Sequence, residues 1–220
     1  DGEDINRKGI DIRRVRFRVG LVFQYPEYQL FEETVYADIA YGPKNMGLSK
    51  EEIDRRVRET VQFVGLGTEC LEASPFDLSG GQKRRAAIAG IMAMEPEVLI
   101  LDEPAAGLDP LGREEILGGI CSYQRKKGST VIIVSHSMED MARYADCLVV
   151  MNQGKILMQG SCAEIFSQPE KLSGIGLDIP QITRFMLELK KRGVEVRTDI
   201  FTVEQARDEI LRIAGGTRHA

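Results

Sequence analysis

The apolar run Val98-Leu99-Ile100-Leu101, followed without a break by Asp102-Glu103-Pro104, constrains the fold more than any other segment. A strand with no polar residue at either alternate position reads as one covered on both faces of a parallel sheet, and Val131 to Val134 repeats the pattern. Both runs end in polar residues. A helical stretch after Pro110 lies between them, and a further helix, Met138 to Tyr144, follows Ser137. Strand, helix, strand, helix is the order of an α/β protein.

The segments around this frame carry their own signals. Residues 1–5, Asp-Gly-Glu-Asp-Ile, read as a turn leaving a strand, and Val15 to Phe23 alternates like a second strand ending at Gln24. Ser49 with Glu52 makes a capping box, after which Ile53, Val57, Val61 and Val64 recur at helical spacing until Gly65. Ser79 with Gln82 makes another, opening a helix through about Met94 that Pro96 closes. Cys147–Met151 and Ile156–Met158 flank Asn152-Gln153-Gly154, a hairpin turn. From Ser161 the texture changes. Ile182, Phe185, Met186 and Leu189 share one helix face, and Thr202 with Gln205 caps a last helix whose apolar side is Val203, Ala206, Ile210 and Ile213. The expected division is residues 1–160 and a small second domain, 161–220.

Composition narrows the function. With 220 residues, 43% hydrophobic and 29% charged, the chain can bury a substantial core. A net charge of −5 argues against a general nucleic-acid-binding surface. Cys70, Cys121, Cys147 and Cys162 form no C-x-x-C pair and read as reduced residues of a cytosolic protein. No segment approaches the roughly 18 apolar residues a bilayer span needs, so a membrane role is expected to run through a partner.

The residues with chemistry cluster at predicted element ends. Leu78-Ser79-Gly80-Gly81-Gln82 sets a hydroxyl and two glycines at a helix N-terminus, where unpaired N–H groups and the helix dipole attract phosphate. Alone, the pentapeptide is equally an ordinary capped helix after a glycine turn. Asp102 and Glu103 sit at the carboxyl end of a strand, where ligands of open α/β sheets bind. Asp102 is placed to hold Mg²⁺ through its water shell, and Glu103 to orient or deprotonate an attacking water. His136 ends the next strand and fits a γ-phosphate contact, although an isolated histidine there reads as well as a satisfied polar residue. Gln24 is placed to reach the metal or the water. Asp109 belongs to the same set or is only an Asp-Pro turn. Lys83-Arg84-Arg85 reads as a solvated helix face.

In this order the motifs resemble the ATP-binding cassette family: Gln24 its Q-loop, residues 78–82 its signature, residues 98–103 its Walker B segment, residues 106–109 its D-loop, and His136 its switch histidine. More narrowly, residues 23–31 (Phe-Gln-Tyr-Pro-Glu-Tyr-Gln-Leu-Phe), Tyr41-Gly42-Pro43-Lys44-Asn45 and Ser137-Met138-Glu139-Asp140 are similar to the ATPase subunits of energy-coupling factor importers of the cobalt type. The resemblance implies a P-loop NTPase fold of the cassette type, N-terminally truncated, with a signature helical subdomain at about 34–95. It also implies a small C-terminal α+β dimerisation domain at 161–220. The implied function is to bind ATP with Mg²⁺ and hydrolyse it to energise uptake of vitamins or Ni²⁺/Co²⁺. Gln24, Glu103 and His136 are then catalytic, Asp102 and Gln24 face the metal, and Ser79, Gly80, Gly81, Gln82 and Asp109 face the nucleotide. The implied partners are a second ATPase subunit, identical or not, a membrane transducer and a substrate-binding membrane component, with no nucleic acid. The chain would sit peripherally on the cytoplasmic face of the cell membrane.

Gly-x-x-x-x-Gly-Lys-Ser/Thr, the loop that wraps phosphates, is not found in the 220 residues; Gly154-Lys155 is followed by Ile156. The expectation is that this loop precedes residue 1 and that the 220 residues alone do not turn over ATP. Two alternatives stand beside the leading reading. One is a non-catalytic subunit lending residues 78–82 to a partner's ATP. The other is a cassette ATPase of DNA repair or translation.

Overall fold

The computed structural model describes residue 2 and residues 4–216. The turn expected at residues 1–5 includes Asp1 and Glu3, which lie outside the described residues; just beyond it, the Arg7 N–H donates to the Asp4 carbonyl at 3.1 Å. The chain packs as two compact units, residues 1–134 and 135–220. The boundary drawn from sequence at residue 160 falls inside the second of these.

The first unit opens with α1 (Ile12–Arg18) and β1 (Val19–Val22). The strand expected from Val15 is therefore helical for its first four residues. Asp11 decides this, because its carboxylate caps the Arg13 and Arg14 N–H groups at 3.0 and 3.3 Å, and four arginines supply helix propensity. Next come α2 (Val35–Asn45), α3 (Lys50–Phe63) and α4 (Gly80–Met92), which pack on one another as a helical block. The chain then forms β2 (Val98–Asp102), α5 (Pro110–Lys127) and β3 (Thr130–Val134).

The three strands form one parallel sheet in the order β1-β2-β3, with Val22 beside Leu101 and Asp102 beside Val134. On one face Val22, Leu99 and Leu101 are fully buried, and Val131 and Ile133 of β3 are half-buried beside them. This face receives α4 so closely that a Cβ on Gly20 would stand 2.7 Å from Ile91 Cγ2. The opposite face leaves Leu21, Ile132 and Val134 exposed, the last two at 47% and 51%. The expectation of strands covered on both faces is thus met on one face only. A continuous apolar run reports on strand type, whereas coverage depends on which elements pack there.

The helical block and α5 share a core of Ile39, Val57, Val61, Leu71, Ile88, Met92, Ile116, Leu117, Ile120 and Tyr123. The α3–α5 crossing is close: a Cβ on Gly119 would overlap the Phe63 carbonyl oxygen. Tyr123 donates to the Met92 carbonyl at 3.2 Å, and burial pushes its hydroxyl pKa up to about 12. A charged corner ties the same helices together. Glu59 takes Lys126 at 2.6 Å and Lys127 at 3.0 Å, while Arg56 donates to the Ala93 and Met94 carbonyls that end α4.

The second unit contains α6 (Met138–Tyr144), β4 (Leu148–Asn152), β5 (Lys155–Gly160), α7 (Cys162–Phe166), α8 (Pro169–Ser173), α9 (Gln181–Lys191) and α10 (Val203–Gly216). β4 and β5 are the expected hairpin, turned by Gln153 and Gly154 at φ 49° and 73°, the positive pair that a two-residue turn of type I′ requires. From residue 161 the described elements are helices, and the strands of this α+β unit lie before it. Its core joins Met186, Val196, Ile200 and Ala206 with Ile182, Leu189 and Ile213. On α10 the buried companion of Ala206 is Glu209 rather than the expected Ile210, because the Glu209 carboxylate accepts from the Arg197 N–H at 2.9 Å and pairs with Arg212.

Candidate functional site

Parallel pairing builds one site edge. β1 and β2 end side by side, so the residues that leave them, Phe23-Gln24 and Glu103, depart from the same end of the sheet, where the ligands of open α/β sheets lie. Gln24 is exposed; Asp102 and Glu103 are half-buried. Asp102 closes β2 on the open face of the sheet, in phase with Ile100, and its strand neighbour is Val134. The Glu103 N–H donates to the Val134 carbonyl at 2.9 Å while its own φ is +48°. A non-glycine residue in the left-handed region is strained and is held only where its surroundings over-determine it, a situation concentrated at functional sites.

Behind Glu103 the chain turns tightly: the Ala106 N–H donates to the Glu103 carbonyl at 3.1 Å and Gly107 takes φ +74°. Asp109 then caps α5, accepting from the Gly112 N–H at 2.8 Å, with Pro110 at the first helical position. Its carboxylate therefore already has a structural task.

The segment after Gln24 is equally defined. Tyr25 adopts φ +68° and Pro26–Gln29 forms a single 3-10 turn. Asp38 on α2 fastens the next residues, accepting from the Phe31 and Glu32 N–H groups, both at 3.2 Å; burial raises its pKa against these two bonds. Tyr28 is 85% exposed and Phe31 58%, so this loop presents aromatic rings outward.

The helix start at residues 79–82 has a complete capping box. Gln82 N–H donates to Ser79 Oγ at 3.3 Å and Ser79 N–H to Gln82 Oε1 at 3.0 Å. The box occupies those two donors, while the N–H groups of Gly80 and Gly81, in the first turn, have no partner within the helix. A Cβ on Gly80 would meet nothing within 4 Å, and one on Gly81 only Leu108 at 3.6 Å, so the two glycines leave an open approach to backbone donors. An anion fits there.

No group of three or more His, Cys, Asp or Glu residues that could hold a metal ion is found among the described residues. One or two carboxylates beside substrate phosphates is how Mg²⁺ is bound in nucleotide sites, so Asp102 at the strand end suits that ion and no all-protein cage is needed. His136 follows β3 by two residues, is exposed, and belongs to the second unit; just after it Ser137 caps α6, accepting from the Asp140 N–H at 3.2 Å.

The basic run after the capping box departs from the sequence reading. Arg84 is buried, 5% exposed, and not solvated. Its Nε and Nη2 donate to the Glu27 carboxylate at 3.2 and 3.1 Å, and its Nη1 to the Ala106 carbonyl. Arg85 caps α3 through the Val64 carbonyl at 2.6 Å and pairs with Glu115 of α5 at 2.7 Å. The missed signal is spacing: Arg84 lies one turn before Ile88 and two before Met92, on the buried face of α4.

Comparison with known proteins gives consistent matches. A family model described as ABC transporter matches residues 1–106. The energy-coupling factor transporter ATP-binding protein EcfA2 of Caldanaerobacter subterraneus subsp. tengcongensis is 54% identical over 219 residues, spanning 100% of this chain and 77% of that protein. EcfA2 of Clostridium perfringens is 54% identical over 214 residues, 97% and 75% of the two chains. Among solved structures, cbiO1 from Clostridium perfringens, part of the ABC transporter complex cbiONQ, superposes with a TM-score of 0.68 at 40% identity over 84% of this chain and 72% of that one. The ATP-binding cassette MJ0796, solved as a dimer in a post-hydrolysis state bound to ADP and Pi, gives 0.62 at 25% identity over 71% and 68%.

Proposed function

The chain belongs to the ATP-binding cassette family, among the ATP-binding subunits of energy-coupling factor transporters, and on that premise we propose how its residues divide the work of ATP hydrolysis. Asp102 would hold Mg²⁺ beside the phosphates. Glu103, held at φ +48° on the same strand end, orients the attacking water and takes its proton. Gln24 approaches the metal and the water from the neighbouring strand, and His136 contacts the γ-phosphate. Bound Mg²⁺ supplies charge neutralisation on the phosphate oxygens. Ser79, Gly80, Gly81 and Gln82 receive the phosphates of the ATP held by the partner ATPase, using the hydroxyl, the two first-turn N–H groups and the helix dipole. Asp109, as the cap of α5, fixes the loop facing that nucleotide.

The partner is a second ATPase subunit, and residues 161–220 help to pair the two. The apolar side chains that α9 and α10 leave exposed, Phe185, Ile210 and Leu211, support this role. No helix among the described residues is long and apolar enough to cross a membrane. We therefore place the chain peripherally, on the cytoplasmic face, against a membrane transducer and a substrate-binding component, with the aromatic loop from Tyr25 to Phe31 facing the transducer. The solute class is a vitamin or Ni²⁺/Co²⁺.

The observation that carries the assignment is the shared end of β1 and β2, which brings Gln24 to the same sheet edge as Asp102 and the strained Glu103. In the assembled transporter, Glu103→Gln is expected to cut phosphate release by about 100-fold or more while ATP still binds, since it removes the proton acceptor and keeps the shape. Unchanged phosphate release would refute the role given to Glu103.

A further inference from the structure

The buried arginine of α4 belongs to none of these roles, yet it touches two of the segments that move nucleotide chemistry. We propose that Arg84 is a positioning residue that ties the segment after Gln24 to the loop behind Glu103, so that a displacement of Glu27 is delivered to the backbone at Ala106. The inference rests on the functional reading above. Its basis is geometric. The guanidinium makes a fork to both oxygens of Glu27, at 3.2 and 3.1 Å, and turns its third nitrogen to the Ala106 carbonyl. Its side chain is 7% exposed and that of Glu27 19%, so water does little to screen or replace these bonds.

Each end of the link leads directly to a functional residue. Glu27 stands three residues after Gln24, in the 3-10 turn that follows the αL residue Tyr25. Ala106 stands three residues after Glu103, bonded back to it through the Ala106 N–H at 3.1 Å, and three before Asp109. Arg84 itself sits on the first turns of α4, whose start is the capping box. One planar cation therefore joins the signature helix, the loop exposed toward the transducer and the loop behind the hydrolytic carboxylate. Only arginine can do this. A lysine in its place keeps the charge but offers a compact ammonium without the fork, and cannot serve the carboxylate bidentately and the carbonyl together.

The experiment measures kcat and KM for ATP, with Tm, in the assembled transporter carrying Arg84→Lys, Glu27→Gln, or both. Misplacement of reacting groups by a remote change lowers rate by a factor of about 10 to 100. The expected result is a kcat loss of that size in each single variant, with KM within about twofold because binding contacts are untouched. The double variant is expected to be no slower than the slower single one, since both break the same link. The inference is overturned if kcat is unchanged in the single variants, if the losses multiply in the double, or if kcat and KM shift together in step with Tm. Should Arg84→Lys fail to fold, Glu27→Gln alone decides, on a side chain nearer the surface: lowered kcat at constant KM supports the link, and unchanged kcat refutes it. Glu103→Gln in the same transporter separates the two readings. If it leaves hydrolysis intact the ATPase assignment fails, whereas if it abolishes hydrolysis and the Arg84 and Glu27 variants are normal, only the link fails.

Discussion

Ser79 carries two separable duties, and a pair of substitutions divides them. Its hydroxyl oxygen accepts the Gln82 N–H at 3.3 Å, while the return bond from Ser79 N–H to the Gln82 side chain does not involve the hydroxyl. Ser79→Ala therefore removes half of the capping box. Because the residue is exposed, water takes over the freed donor and no buried group is stranded. The cost belongs in the middle of the range for lost caps, about 1 kcal/mol, which lowers Tm by about 2–4 °C in a chain of this length. Ser79→Asp keeps an acceptor at the cap and adds a charge that the helix dipole favours, so thermal stability returns to the parent value or above it.

Hydrolysis responds differently. Loss of the hydroxyl donor to a phosphate is expected to slow turnover by about 10- to 100-fold, the equivalent of one charge-assisted hydrogen bond. Aspartate does not restore it, because a carboxylate at an anion seat repels the phosphate it should receive. Thermal unfolding and phosphate release, measured on the same three proteins in the assembled transporter, give both readouts. Recovery of hydrolysis by Ser79→Asp would refute the anion seat, and an unaltered Tm in Ser79→Ala would refute the capping argument.

Other outcomes follow from the same structure. Gly119→Ala forces α5 away from the Phe63 carbonyl and is expected to cost about 1–3 kcal/mol, the range for overpacked cores, measured by urea unfolding; an unchanged midpoint contradicts the close α3–α5 crossing. Hydrogen bonds from Lys126 and then Lys127 hold the Glu59 carboxyl at about 2, below its ordinary 4.5. A depressed carboxylate stabilises above its unfolded value and loses that contribution as pH falls. Tm is therefore expected to drop between about pH 4.5 and 2, with a shallower drop in Glu59→Gln, and equal slopes for the two proteins would remove Glu59 from the account. Burial pushes the Cys70 thiol up, so under native conditions Cys70 is expected to react with a thiol reagent far more slowly than the exposed Cys147; equal rates would contradict its burial.

Local chemistry made much of this fold legible. The capping box of Ser79 and Gln82 and the Gln153-Gly154 turn are decided within four residues, and the structure places both where their side chains and backbone preferences require. Asp102-Glu103 was legible because an apolar run followed by carboxylates marks a strand end. What failed has two causes, a local cap that outweighs alternation and partners distant in sequence. Val15 and Phe17 alternate like a strand, but the Asp11 cap and the arginines around them make a helix. Arg84 reads as part of a solvated basic run because its partners, Glu27 and Ala106, are 57 and 22 residues away. Positions such as Glu103 and Tyr25, strained against their own residue preferences, are set by surroundings that no local rule contains.

The central claim is that the helix start at residues 79–82 meets the phosphates of bound ATP. It is tested most directly by trapping the assembled transporter with ADP and vanadate and irradiating it, so that backbone beside the γ-phosphate position is cut. Cleavage of this chain at Ser79 or its neighbouring glycines, abolished by omitting nucleotide, is the predicted result. A chain left intact, or cut only at sites remote from residues 78–82 while the transporter is demonstrably trapped, would contradict the account.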